Sequence, residues 1–253
     1  MRLPSISRLT GWLGSKNRPK NLFNATNIET YAYCNRKCDF CFNGERFKPR
    51  AKGIMAEAMW RKIVDELGQV HFTGRISPHF YGEPLMDKRL PELIAYAKSQ
   101  CPRATLRINS NGDLLTAPLL KALIASGLDR LFITNYDEEP NAGLKDMARD
   151  YPKVIVYREY ETVRMANRAG AMFPVDNDAT NLPCFRPAER LVINWQGNVV
   201  LCCNDYYEEH VMGNVADKSI LDIWRSDRFE SYRRTLRQPG GRHRLDFCRN
   251  CDM

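Results

Sequence analysis

Apolar and polar positions follow two different periods over the first 160 residues. Met59, Ile63 and Leu67 recur every four residues in a stretch predicted to be helical from about 55 to 67, because residues four apart share one helix face. Short extended apolar runs flank it, Ile28 to Thr30 before and Ile76 to Tyr81 after. The alternation continues with a helix over Leu90–Lys98, a strand over Thr105–Asn109 and a helix from about Leu115 to Ala125, with Gly127 as its stop. A strand over Arg130–Thr134, a helix near Leu144–Arg149 and a strand over Lys153–Tyr157 complete the series. Helical and strand periods exchanging this regularly predict consecutive βα units around a parallel sheet. Five strands are too few to close an eight-stranded barrel. The expected fold class is therefore α/β, an open, partial βα barrel of TIM type over residues 22–175.

The pattern changes after that. "FPVDNDATNLP" is polar and rich in turn formers. Then "LVINWQGNVVLCC" sets two apolar arms around Gln196-Gly197-Asn198, which predicts a hairpin. Ser219 opens an amphipathic helix carrying Ile220, Ile223 and Trp224, with Asp222 near the position that a capping box uses. Residues 176–253 are thus expected to form a small second domain of a β-hairpin plus a helix.

Composition bounds the chemistry. Hydrophobic content of 43% and charged content of 27% are ordinary for a globular protein. No stretch reaches the ~20 apolar residues needed to span a bilayer, and no amino-terminal run suits a signal peptide. The expected location is the cytoplasm, with no membrane partner. Nine cysteines are many for a reducing compartment, and they are grouped: three at 34 to 41, a pair at 202 and 203, two at 248 and 251, and single residues at 101 and 184. Such grouping points to metal, whereas Cys101 suits the role of a small buried hydrophobe. Lys and Arg exceed Asp and Glu by 38 − 30, or +8. A solvated face is the ordinary reading of such charge, with an anionic substrate as an alternative. No RNP or two-Cys two-His pattern supports nucleic acid.

The first group reads Cys34-x3-Cys38-x2-Cys41. A structural zinc site needs four protein ligands. Three thiolates on a four-iron cube instead leave one iron open to a small molecule. The stretch Cys34-Asn35-Arg36-Lys37-Cys38-Asp39-Phe40-Cys41 resembles the Cys-x3-Cys-x-aromatic-Cys signature of the radical S-adenosylmethionine enzymes. The resemblance implies that S-adenosylmethionine chelates the open iron and is cleaved to a 5′-deoxyadenosyl radical that abstracts substrate hydrogen. It also implies that Phe40 lies beside the adenine. Tyr81-Gly82-Glu83-Pro84 resembles the family's Gly-Gly-Glu segment, which receives the methionine amino group, with Tyr81 in place of the first glycine. Asn109-Ser110-Asn111-Gly112 resembles the Thr-Asn-Gly turn near the ribose and carboxylate, and Thr134 stands where a ribose-binding serine would.

Cys184-x12-Gly197-x4-Cys202 with Cys248-x2-Cys251 resembles the twitch domain, the shortened form of the SPASM domain, as does "MGNVADKSILDIWRS". Four thiols could also close a zinc site, but after the three-cysteine motif an auxiliary 4Fe–4S cluster is the expectation. The cofactors implied are S-adenosylmethionine and two 4Fe–4S clusters, one catalytic and one auxiliary, fed by a one-electron reductant such as flavodoxin or ferredoxin. Radical enzymes with a single twitch cluster include aminocyclitol dehydrogenases, in which the substrate radical loses a proton and passes its electron to that cluster. Related sugar epimerases return a hydrogen atom from a cysteine thiol. Dehydrogenation of an alcohol carbon in a small polar substrate is therefore the expected reaction. Epimerisation, modification of a ribosomal precursor peptide and a non-catalytic metal-binding module are the alternatives. Arg168, in "NRAG", is the candidate for contacting substrate hydroxyls. Cys203 either packs or donates hydrogen, and Asp205 and Glu189 are weaker candidates for taking the proton.

Overall fold

The computed structural model describes residues 22–139, 141–163, 165–173 and 181–252. Its frame is an eight-stranded sheet in the order β5-β4-β3-β2-β1-β6-β7-β8. The first half of the chain supplies β1 (Ala25–Ile28), β2 (Arg75–Ser77), β3 (Thr105–Ser110), β4 (Arg130–Asn135) and β5 (Ile155–Glu159). Each pairs in parallel with its neighbours. The crossovers are α1 (Glu57–Gln69), α2 (Leu90–Gln100), α3 (Ala117–Ala125) and α4 (Ala142–Asp150). The helices begin and end where local chemistry directs. Thr116 caps α3 by accepting from the Leu119 amide, and Gly127, at φ +93°, takes the left-handed turn after it. The periodic face of α1 buries Trp60, Ile63, Val64 and Leu67. The sheet stays open, with β5 and β8 at its edges, as five βα units predict.

The strand expected over Ile76–Tyr81 ends at Ser77. Pro78 has no amide hydrogen for the ladder, and the His79 amide turns back to the Ser77 carbonyl at 2.8 Å. The five residues after it are thereby released to line a cavity instead of a sheet.

The hairpin forms, but its first arm does more than expected. β6 (Arg190–Ile193) pairs in parallel with β1 over its whole length, so the barrel sheet gains a sixth parallel strand. β7 (Asn198–Val200) and β8 (Val211–Asn214) extend it antiparallel. In the turn, the Asn194 Oδ1 accepts from the Gln196 and Asn198 amides, and Gly197 sits at φ +88°. The expected boundary at 175 and 176 lies outside the described residues. One continuous core joins Ile28, Leu106 and Leu131 of the barrel to Leu191, Val199 and Trp224 of the carboxyl-terminal part. Ser219 caps α6 (Ile220–Trp224), accepting from the Asp222 amide at 3.1 Å and donating to its carboxylate at 2.7 Å. Two further helices, the short α5 (Arg186–Glu189) and α7 (Asp227–Leu236), carry no signal that the hydrophobic pattern resolved. No helix among the described residues is long and apolar enough to cross a membrane.

Arg50 ties the halves together. Its guanidinium pairs with Glu29, just past β1, and with Glu208 at 3.2 Å, and lies 4.7 Å from the Tyr206 ring centroid. Glu29 is fully buried and also accepts from the Tyr81 amide at 3.2 Å. Arg50→Ala leaves that carboxylate buried and unpaired, so thermal unfolding should register a loss of about 3–5 kcal/mol. Arg50→Met with Glu29→Leu should recover most of it. Equal melting of wild type and Arg50→Ala would remove the network from the account of stability.

Candidate active site

The cysteine loop follows β1 and returns at the Tyr31–Ile54 bridge. Two turns wind it, from the Cys41 amide to the Cys38 carbonyl at 3.0 Å and from the Gly44 amide to the Cys41 carbonyl at 2.8 Å. Gly44 is needed there, since a Cβ would come within 2.5 Å of the Cys38 carbonyl oxygen. Arg36 ties the loop over the carboxyl ends of β3 and β4. Its Nε donates to Asp113 at 2.6 Å and its Nη1 to Asp137 at 2.9 Å. All three thiols face a cavity of about 450 Å³, within the range of small-molecule sites.

The opposite wall is made by the strand ends. Glu83 is buried, and its carboxylate accepts from the Leu85 amide at 3.0 Å, the Ser110 hydroxyl at 2.7 Å and the Asn111 amide at 3.0 Å. It therefore holds the β3 turn rigid. Asn111 reaches back to Asn35 beside Cys34, at 2.9 Å. Gly82 lines the cavity, yet its want of a side chain has a second cause: a Cβ would lie 1.9 Å from the Tyr31 carbonyl oxygen. Pro84 opens a 3-10 turn and is not among the lining residues. Asn109 and Thr134 do line the cavity; Asn109 accepts from Arg107 at 3.3 Å, and Thr134 from Arg158 at 3.1 Å.

Phe40 stacks on Tyr160 at 4.7 Å and meets Tyr136 at 5.0 Å. Sequence reasoning missed both tyrosines. Each directly follows a strand, β4 for Tyr136 and β5 for Tyr160, where barrel folds place ligand contacts. That position was the available signal.

The four carboxyl-terminal thiols come together from three places along the chain, Cys184, Cys202 and the Cys248–Cys251 turn. Burial first, then Cys184 and Cys251, push the Cys248 thiol up to about 12. Burial, then Cys203, Cys248 and Cys251, hold Cys202 well above its ordinary value. Asn204 donates to the sulfurs of Cys202, through its amide at 3.4 Å, and Cys251, through its side chain at 3.5 Å. In the first group, burial followed by Cys41 and Cys34 pushes Cys38 up to about 11. Thiols that suffer each other's charge so strongly favour binding a shared cation as thiolates. Among the described residues no three His, Cys, Asp or Glu side chains converge as one metal ion requires.

The "NRAG" segment joins this second group to the cavity. Asn167 exchanges two hydrogen bonds with Asp252, its amide donating at 3.0 Å and its Oδ1 accepting at 3.2 Å, and its Nδ2 donates to the Asn250 carbonyl at 2.7 Å. Arg168 follows in the left-handed region at φ +52°, a conformation that costs a non-glycine residue of order 1 kcal/mol or more. Its guanidinium lines the cavity 5.4 Å from the Tyr81 ring centroid, and its Nε has no hydrogen-bond partner.

Cys203 also lines the cavity. It lies in a turn just after β7. Its carbonyl accepts from the Tyr81 hydroxyl at 2.9 Å. Tyr81, which replaces a glycine of the motif, thus wedges between the two halves against Phe42 and Tyr206. Asp205 is fully buried and away from the cavity, its carboxylate accepting from the Glu209 and His210 amides at 2.9 and 3.0 Å. That carboxylate organises a loop and lies outside the cavity lining. Glu189 is exposed on α5, also outside the cavity lining.

Residues 28–170 match the family model of the radical SAM superfamily, and residues 184–252 match that of SPASM, an iron–sulfur cluster-binding domain. The S-adenosyl-L-methionine-dependent 2-deoxy-scyllo-inosamine dehydrogenase of Niallia circulans is 33% identical over 235 residues, covering 91% of this chain and 93% of its own. The crystal structure of BtrN in complex with AdoMet and 2-DOIA superposes with a TM-score of 0.84 at 33% identity, covering 92% of this chain and 94% of that one. Native anSMEcpe with bound AdoMet and the Cp18Cys peptide shares the fold, with a TM-score of 0.61 at 11% identity over 90% of this chain and 88% of that one.

Proposed function

The chain belongs to the radical SAM superfamily and carries a SPASM iron–sulfur domain, and from that membership we propose that it dehydrogenates an alcohol carbon of a carbohydrate, an aminocyclitol or a similar small polar molecule. One observation carries this reading: a single cavity has Cys34, Cys38 and Cys41 on one side and, on another, Cys203 beside Cys202 and Arg168 beside Asn167, which is bonded to the loop of Cys251. When bound, S-adenosylmethionine and the two 4Fe–4S clusters supply hydrogen abstraction and an acceptor for the remaining electron. In this reading Cys34, Cys38 and Cys41 hold the catalytic cluster, and Cys184, Cys202, Cys248 and Cys251 the auxiliary one. Gly82, Glu83 and the Asn109–Asn111 turn receive the methionine end of the cosubstrate. Phe40 and its two tyrosines offer flat faces to the adenine. Thr134 binds the ribose, and Arg168 donates to substrate hydroxyls. An external one-electron reductant such as flavodoxin or ferredoxin belongs to the same reading.

A second reading, radical epimerisation, is favoured by the placement of Cys203 on the cavity wall, where a thiol can donate hydrogen. Oxidation is preferred, because the similarity over the whole chain is to a dehydrogenase. The test is turnover of polyols and amino sugars by the dithionite-reduced enzyme in deuterated water. Wild type and Cys203→Ala should both give a ketone and 5′-deoxyadenosine, without deuterium at the reacting carbon. An inverted product that carries deuterium, and is lost in Cys203→Ala, would establish epimerisation instead.

A further inference from the structure

The floor of the cavity holds positive charge that the reaction above leaves without a role. Arg75 and Arg190 open β2 and β6, and both stand level with Ala25 of β1, which separates them in the sheet. Arg107 enters from β3, its guanidinium 3.7 Å from the Phe132 ring centroid. All three line the cavity. Among the described residues the one acid on its wall is Glu83, whose carboxylate is already engaged by Leu85, Ser110 and Asn111.

Burial first, and then Arg190, pull Arg75 down to about 10; burial, then Arg75, Arg158 and Arg190, do the same to Arg107. The Arg75 Nε finds no hydrogen-bond partner. His79 stands in the same field, 6% exposed, held neutral by burial and by Arg75 and Arg107, and its Nδ1 is likewise unpartnered. Half-buried like charges without a counter-charge are costly. The anions of the first site, three thiolates and the carboxylate of S-adenosylmethionine, belong at the other end of the strands, by the cysteine loop, and the four thiols of the second group lie outside the cavity lining. The floor therefore lacks an anion of its own.

We propose that the substrate carries a phosphate ester, and that Arg75, Arg107 and Arg190, with His79, seat its oxyanion at the floor while the alcohol carbon faces the cysteine loop. A phosphoryl group has about two charges and three terminal oxygens, which suits three forked guanidinium donors better than the two oxygens of a carboxylate. The proposal rests on the radical-dehydrogenase reading for the nature of the polyol. The anion seat itself is tested without turnover.

The experiment is calorimetric titration of the anaerobically reconstituted enzyme, with S-adenosylmethionine present, using myo-inositol 1-phosphate, myo-inositol, inorganic phosphate and acetate. The phosphate ester should bind at least about tenfold more tightly than the free polyol, and inorganic phosphate should compete with it where acetate does not. Arg75→Gln and Arg107→Gln should each lose about tenfold or more for the ester, while Arg61→Gln, on the outer face of α1, should lose nothing. Without ligand, the two floor variants should melt no lower than wild type, because each relieves repulsion. Equal binding of ester and polyol overturns the proposal, and this comparison needs no variant. Unchanged affinity in both floor variants, or tighter binding of acetate than of phosphate, overturns it as well. Failure of ester binding with S-adenosylmethionine cleavage intact leaves the dehydrogenase reading standing; ester binding without any cleavage does the reverse.

Discussion

Replacing any one of Cys34, Cys38 and Cys41 by Ala should reduce reductive cleavage of S-adenosylmethionine to background. The three thiols share one loop wound by two consecutive turns and held down by Arg36. A cube with three protein ligands has none to spare, so the loss of one releases the iron or leaves it without the required geometry. Iron content should fall from about eight to about four per chain. The fold should survive, since the three cysteines are only half-buried and the loop keeps its ties to Asp113 and Asp137. Circular dichroism and melting should therefore remain close to wild type while 5′-deoxyadenosine formation disappears. A variant that keeps both its iron and its cleavage activity would remove these cysteines from the catalytic site.

Cys184→Ala or Cys251→Ala should separate the two halves of the chemistry. These thiols lie beyond the cavity wall, in the group formed with Cys202 and Cys248. Cleavage of S-adenosylmethionine needs only the first group, so a measurable part of it should remain. Ketone formation should stop, because the electron left on the substrate then has no acceptor. Iron should again fall to about four per chain. A second effect follows from Asn167, whose bonds to Asn250 and Asp252 anchor the backbone beside Arg168. Loosening the Cys248–Cys251 loop frees Arg168 from a conformation that it holds against its preference, so KM for substrate should rise in whatever turnover remains. Identical loss of cleavage in both cysteine sets would assign the second cluster to folding alone. Stoichiometric zinc in the reconstituted carboxyl-terminal site would overturn the cluster there.

Much of this protein was legible along the chain, because the features concerned are local. Three thiols within eight positions, a helix face repeating every four residues, and the caps at Thr116 and Ser219 each depend on neighbours a turn or two away. So do the order of βα units and the turn at Gly197. The grouping of the cysteines was enough to suggest two metal sites, since each pair of close thiols already half-builds one.

Contacts between distant segments were not legible. That β6 would pair with β1 rather than stay within a separate hairpin depended on an open sheet edge at β1, which no run of residues announces. Tyr81 reads as a departure from a glycine motif, and only the docked carboxyl-terminal loop makes it a wedge. Asp205 reads as an accessible acid until the loop folds around its carboxylate. The arginines make the point most fully. Arg75, Arg107 and Arg190 each adjoin a fully buried residue, Ile76, Leu106 and Leu191, so each looks like the wet side of a half-buried strand. By itself the sequence determined that alternation. Only the curvature of the sheet decided where its polar side points: a curled sheet turns one face inward, and charges that ordinary strands would give to solvent are gathered around a cavity.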